Sequence, residues 1–206
     1  MRIAVIGGGP IGQYTYNELK QGAKTHELII WDASPELCRP KQLTYKYTAL
    51  STIAFICVPT VIINTERILV NVVLSLRNLN PSIIIVIRSP VYPGRCKKLE
   101  ACYMPIIGDE YGEELTSASL NYWQIGMDLN NSVHTKYILD LLLKLFTIYD
   151  NQVEILDTVK LEELKWGSNI YDEGPKKRKI NFRVPHVSKE VIKNLLVKIK
   201  QYRNAL

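Results

Sequence analysis

Apolar residues along the chain fall into short unbroken runs separated by segments of helical period. Ile3–Ile6, Leu28–Trp31, Ile53–Cys57 and Ile83–Ile87 are rich in Ile and Val, the composition of strands buried on both faces. Between the third and fourth runs, residues 63–79 read as a helix with Ile68, Val72, Leu76 and Leu79 on one face. The second half is less regular. It predicts strands at Leu99–Tyr103, at Tyr122–Ile125 ending at Gly126, and at Val153–Leu156. It also predicts helices at 131–148, with Ile138, Leu141, Leu142 and Leu145 inward, and at 158–171. Tyr45–Thr48 reads as a short edge segment. Strands alternating with helices imply an α/β fold, a mainly parallel sheet with right-handed crossovers.

The first strand runs directly into Gly7-Gly8-Gly9-Pro10-Ile11-Gly12, which fits G-x-G-x-x-G at Gly7, Gly9 and Gly12. A helix and a second strand follow, and that strand ends at Asp32, twenty residues after Gly12. Each position has a physical task in dinucleotide binding. Gly7 turns the chain sharply. A side chain at Gly9 would block a pyrophosphate, and Gly12 lets the helix lie close to the sheet. The N–H groups at the helix start, around Pro10 and Ile11, then face the phosphates. Asp32 can accept both ribose hydroxyls and would repel a 2′-phosphate, so NAD is the expected cofactor. The other reading is a glycine turn kept for packing alone. The expected plan is a doubly wound, Rossmann-like domain over 1–156, a linking helix over 157–174 and a basic C-terminal extension over 175–206. Ligand-facing residues would lie beyond the carboxyl ends of the strands: Gly7–Gly12, Asp32, Val58, Pro59 and Thr60, and Ser89–Gly94.

The chain has 206 residues, 47% of them hydrophobic, enough for one sizeable core. No apolar run reaches membrane-spanning length, and a strand begins at Arg2, so the expectation is a soluble cytoplasmic protein. Cys38, Cys57, Cys96 and Cys102 show no metal-ligand spacing and read as reduced, packed thiols. His26, His134 and His186 read as ordinary loop or surface residues. The net charge of +6 hides an asymmetry. From Pro175 onward ten Lys and Arg meet one acid, Glu190, giving +9, whereas the first 174 residues carry sixteen against nineteen, giving −3. The run Pro175-Lys176-Lys177-Arg178-Lys179 is similar to a nuclear-import signal. It equally suits nucleic acid, an acidic partner, or no partner at all. A strand at Ile180–Val184 and a basic amphipathic helix after Ser188 complete the expected tail.

Four stretches in order resemble the N-terminal part of the UDP-glucose/GDP-mannose dehydrogenase family. They are the glycine loop with Asp32; Phe55-Ile56-Cys57-Val58-Pro59-Thr60, like F-I-C-V-P-T; Arg88-Ser89-Pro90-Val91-Tyr92-Pro93-Gly94, like K-S-T-V-x-P-G; and Leu161-Glu162-Glu163-Leu164-Lys165 with Asn169, like A-E-x-x-K-x-x-x-N. The resemblance covers about residues 1–172. It implies an NAD-binding fold, a sugar-nucleotide ligand, a homodimer, and a catalytic pair in Lys165 and Asn169, which hold the reacting oxygen and order water. For Lys165 the other reading is a solvated surface lysine. The departures imply incomplete chemistry. Pro90 replaces a Thr; Ile106 stands where a catalytic Glu is expected, with Asp109 or Glu110 as the substitute after a small shift; and the nucleophilic Cys belongs to a second domain for which this chain is too short. Three functions therefore compete: an NAD-binding or regulatory module, a dehydrogenase performing one hydride transfer, and an interaction protein that works through its tail.

Overall fold

In the computed structural model, seven strands form one sheet: β1 (Arg2–Ile6), β2 (Glu27–Trp31), β3 (Ile53–Ile56), β4 (Ile84–Ile87), β5 (Cys102–Tyr103), β6 (Trp123–Met127) and β7 (Val153–Asp157). Their order is β2-β1-β3-β4-β5-β6-β7. The structure describes residues 1–60, 66–106, 123–129, 132–148 and 153–170, all of which belong to the unit Met1–Asp172. The expected tail strand, tail helix and basic run lie outside the described residues.

The sheet is parallel from β2 through β5. β6 then reverses through the single pair Tyr103↔Gly126, and β7 runs parallel to β6. The carboxyl ends of β1 to β5 thus share one edge with the amino ends of β6 and β7. β1 is flanked on both sides, and Ile3 to Ile6 are fully buried, which is why that run shows no polar alternation.

Six helices are described: α1 (Pro10–Gly22), α2 (Tyr45–Thr48), α3 (Glu66–Leu79), α4 (Arg95–Lys98), α5 (Ser132–Leu145) and α6 (Thr158–Ile170). One core cluster joins Ile3, Val5, Phe55 and Val86 of the sheet to Leu19 of α1 and to Ile138, Leu139, Leu142 and Leu145 of α5. Alternation along the strands turns Ala4, Ile6, Ala54, Ile56, Ile85 and Ile87 the other way, and these are also buried. Leu69, Val73 and Leu76 of α3 and Leu161 of α6 are buried outside that cluster, so helices cover both faces.

Several expectations change. Tyr45–Thr48 is one turn of helix, closed by the Thr48 hydroxyl donating to the Tyr45 carbonyl at 2.6 Å. The Tyr45 ring packs on Trp31, with centroids 4.7 Å apart, and its hydroxyl donates to the Val72 carbonyl. α3 buries Leu69, Val73 and Leu76, while Ile68 and Leu79 are exposed. This helix is apolar on several sides, so two overlapping sets satisfy the helical period and only packing distinguishes them. The strand expected at Leu99–Tyr103 shrinks to two residues because the N–H groups of Leu99, Glu100 and Ala101 bond back to the carbonyls of α4 and close its end. Gly126 does not end β6. It sits inside the strand, where a Cβ would come within 3.1 Å of the Thr158 Cα and 3.3 Å of Leu161. The small residue lets the start of α6 lie directly on the sheet.

Candidate nucleotide-binding site

The turn after β1 is built by close backbone contact. Gly7 adopts φ +102°, in the left-handed region that favours glycine, and a Cβ there would stand 2.6 Å from the Cys57 carbonyl oxygen. Its N–H donates to the Trp31 carbonyl at 2.8 Å, which ties the turn to β2. A Cβ on Gly12 would fall 1.7 Å from the Gly7 oxygen. Gly9 differs: among the described residues a Cβ there would meet nothing within 4 Å. It is the N-cap of α1, no side chain caps the helix, and no acid sits in the first turn. No capping side chain or acid among the described residues therefore offsets the helix-start N–H groups or the positive end of the helix dipole.

Asp32 lies beside that helix start. One carboxylate oxygen accepts the Gly8 N–H at 2.6 Å and the other accepts the Ser34 N–H at 2.8 Å. A carboxylate oxygen can accept more than one bond, so both retain capacity toward a hydroxyl. The Cys38 thiol bonds the Asp32 backbone, and Leu37 lies against Gly8, where a Cβ would approach its Cβ to 2.7 Å. Neither residue carries a sequence motif that would have placed it there.

The loops after β3 and β4 lock to each other. The buried Ser89 hydroxyl donates to the Val58 carbonyl at 2.6 Å, and the Thr60 hydroxyl donates to the Pro90 carbonyl. Val58 is buried and Pro59 exposed. Both hydroxyls thus hold the shape of the site wall. Tyr92 is exposed beside them.

α6 starts at the opposite edge, after β7, and runs back toward this one. Lys165 is half-buried on it. Burial lowers its amine below the usual lysine range, while the Glu154 carboxylate on β7 works the other way. Asn169 follows one turn later, with its side chain outside the described residues. Ile106 is half-buried, and Asp109 and Glu110, the nearest acids after it, also lie outside the described residues.

All four cysteines are buried and unpaired with one another. Burial pushes the Cys57 thiol to about 11 and the Cys102 thiol to about 12. Cys96 is held well above its ordinary value, by burial first and then by the Glu162 carboxylate. The fold therefore keeps protons that the unfolded chain releases near pH 9. This stabilisation is complete below pH 9 and is lost as pH rises toward 11 and 12. Lys165 has the opposite sign, since its charged form is disfavoured in the fold and that cost fades toward 10.5. The three thiols outweigh it. Urea midpoints should fall steeply from pH 9 to 10.5, by up to about 1.4 kcal/mol per pH unit for each thiol. Cys57→Ala should flatten the slope by about a third to a half, since each thiol contributes similarly and Lys165 opposes them. A level profile across that range would contradict this account.

The strand order, the glycine turn and the acid after β2 together define a Rossmann-like α/β fold. Solved structures share it. A ternary complex of GDP-mannose dehydrogenase from Pseudomonas aeruginosa is 19% identical with TM-score 0.57, over 83% of this chain and 50% of that one. An NADH-preferring ketol-acid reductoisomerase from an uncultured archaeon is 14% identical with TM-score 0.53, over 82% and 54%. A Plasmodium falciparum pyrroline carboxylate reductase with NADP bound is 14% identical with TM-score 0.51, over 98% and 77%. The chain spans about half the length of the first two. At these identities the likeness carries the fold alone. No family model and no curated protein matches the chain. Among the described residues no helix is long and apolar enough to cross a membrane, and no group of side chains is arranged to hold a metal.

Proposed function

We propose that the chain binds NAD at the Gly7–Gly12 turn and serves as a nucleotide-binding module of the nucleotide-sugar dehydrogenase type. One observation carries this reading: the uncapped N-terminus of α1 opens at Gly9 onto free space, with the Asp32 carboxylate beside it. The N–H groups of α1 suit the pyrophosphate. Asp32 suits the adenosine ribose, and its charge favours NAD over NADP. Ala33, Ser34 and Pro35 follow it, so no cation comes directly after it in the chain to hold a 2′-phosphate.

When bound, the cofactor supplies a nicotinamide that accepts hydride. A four-electron oxidation to a carboxylate also needs a thiol to trap the aldehyde. Each cysteine in this chain is buried, and three have thiols raised by that burial. We therefore assign binding or regulation as the role. The second reading is a single hydride transfer. It is favoured by Lys165, whose cation could stabilise a developing oxyanion, with Asn169 one turn away to orient the oxygen.

Titration with NADH and NADPH tests the first reading. NADH should bind below millimolar and NADPH about tenfold or more weakly, since a 2′-phosphate meets Asp32. Asp32→Ala should weaken NADH about 30-fold, a loss of ~2 kcal/mol in charge-assisted bonds. Failure to bind at millimolar NADH removes the assignment. NADH appearing from NAD and a UDP- or GDP-sugar selects the second reading.

A further inference from the structure

Glu162 joins two parts of the molecule that are far apart in sequence. Its side chain is fully buried. One carboxylate oxygen accepts the Gly94 N–H at 2.5 Å and the other accepts the Cys96 N–H at 2.6 Å. These donors sit at the start of α4, which has no capping bond from its own N-cap side chain because the N-cap is Gly94. Gly94, at φ +81°, closes the loop that begins at Ser89. That loop forms the wall tied to Val58 and Thr60.

α6 is thereby held at two successive levels. Its first turn rests on the missing side chain of Gly126, through Thr158 and Leu161. Its second turn is fixed by Glu162. Lys165 comes three residues later, on the neighbouring helical position. We propose that Glu162 is a positioning residue that pins α6 to the Ser89–Gly94 loop and so sets where the Lys165 amine stands, a role that rests on Lys165 being a site residue.

The chemistry of the pair of donors requires a carboxylate. Glutamine offers one oxygen and turns an NH2 group toward the second N–H, so one bond is lost and a buried donor is left without an acceptor. A shift of α6 away from the loop relieves that clash, and Lys165 moves with the helix. Glu154 is the carboxylate on β7 that acts on the Lys165 amine, Glu163 is its acidic neighbour on α6, and Arg95 and Cys96 flank the clamp on α4.

The full chain and its Glu162→Gln variant are compared by amide hydrogen exchange and by acylation of lysines against pH, read by mass spectrometry. In the native chain the Gly94 and Cys96 amides should exchange slowly. Lys165 should acylate at lower pH than the exposed Lys97 and Lys98. In Glu162→Gln, protection at both amides should fall at least tenfold, and the Lys165 profile should move up to that of Lys97 and Lys98. Lost protection with an unmoved Lys165 profile overturns the proposal and leaves Glu162 a helix cap only. Fast exchange at Gly94 and Cys96 in the native chain also overturns it. If the Gln variant does not fold, Glu162→Asp keeps the charge with a shorter reach and should give an intermediate shift. An unmoved Lys165 profile there, with protection reduced, counts against the proposal equally. An NADH titration on the same samples tests the cofactor assignment separately, because native chain that fails to bind NADH removes that assignment while the labelling result stands.

Discussion

Gly12→Ala should destabilise the protein by about 3 kcal/mol or more and remove NADH binding with it. The added Cβ would fall 1.7 Å from the Gly7 oxygen and 2.8 Å from its carbonyl carbon. Both obstacles are backbone, so no rotamer change relieves them. α1 would have to lift from the turn, yet Thr15 and Leu19 bury its inner face against the sheet. Overpacking against side chains costs ~1–3 kcal/mol, and backbone obstacles put this case at the upper end. Gly9→Ala is the matched control. Its φ of −67° is open to alanine, and its Cβ enters empty space. Stability should change by less than about 1 kcal/mol, the usual size of an N-cap effect. The same Cβ stands where a pyrophosphate would approach, so NADH affinity should fall tenfold or more. Urea denaturation and an NADH titration on the two variants separate the packing glycine from the binding glycine. A Gly12→Ala protein that melts like the native one would falsify the geometry of this turn.

The contrast between those glycines shows what a sequence can and cannot display. The spacing of Gly7, Gly9 and Gly12 and the acid at Asp32 belong to one continuous strand-turn-helix-strand unit, so local rules suffice to place them. The buried runs of β1, β3 and β4 were legible for the same reason, since a strand covered on both faces has no polar side to break its pattern. The buried face of α3 was not, because Ile68, Leu69, Val72, Val73 and Leu76 give two overlapping apolar stripes and the sheet chooses between them. β5 has only two residues because Leu99–Ala101 close the end of α4, a helix whose start is clamped by Glu162, sixty-six residues away from Cys96. Glu162 was visible as part of a motif, but its two backbone donors were not. Hydroxyls are similar: the register puts Ser89 and Thr60 in the loops after β4 and β3, while their bonds to Val58 and Pro90 emerge only when neighbouring strands are set side by side.

Glu18→Ala should cost about 3–5 kcal/mol, the range for breaking a buried ion pair. Arg88 directly follows β4 and is only 1% exposed. Its Nη2 donates to a Glu18 carboxylate oxygen on α1 at 2.8 Å. The guanidinium lies 5.1 Å from the Phe146 ring centre and 5.8 Å from that of Trp123. Its Nε and Nη1 are buried with no hydrogen-bond partner among the described residues. Removing Glu18 would leave a cation in an apolar, aromatic setting with its charge uncompensated. The aromatic faces offset part of that, at ~2 kcal/mol or less. Glu18→Gln keeps an acceptor without the charge and should cost less. The double variant Glu18→Leu with Arg88→Met replaces the pair by apolar groups and should recover most of the loss, since both desolvation penalties disappear together. Melting points give the readout. At ~2–4 °C per kcal/mol for a chain of this size, Glu18→Ala should melt about 10 °C below the native chain. The double variant should melt above either single one, a coupling that only a direct interaction produces. A Glu18→Ala protein within about 1 kcal/mol of native would mean that Arg88 is held by its rings alone.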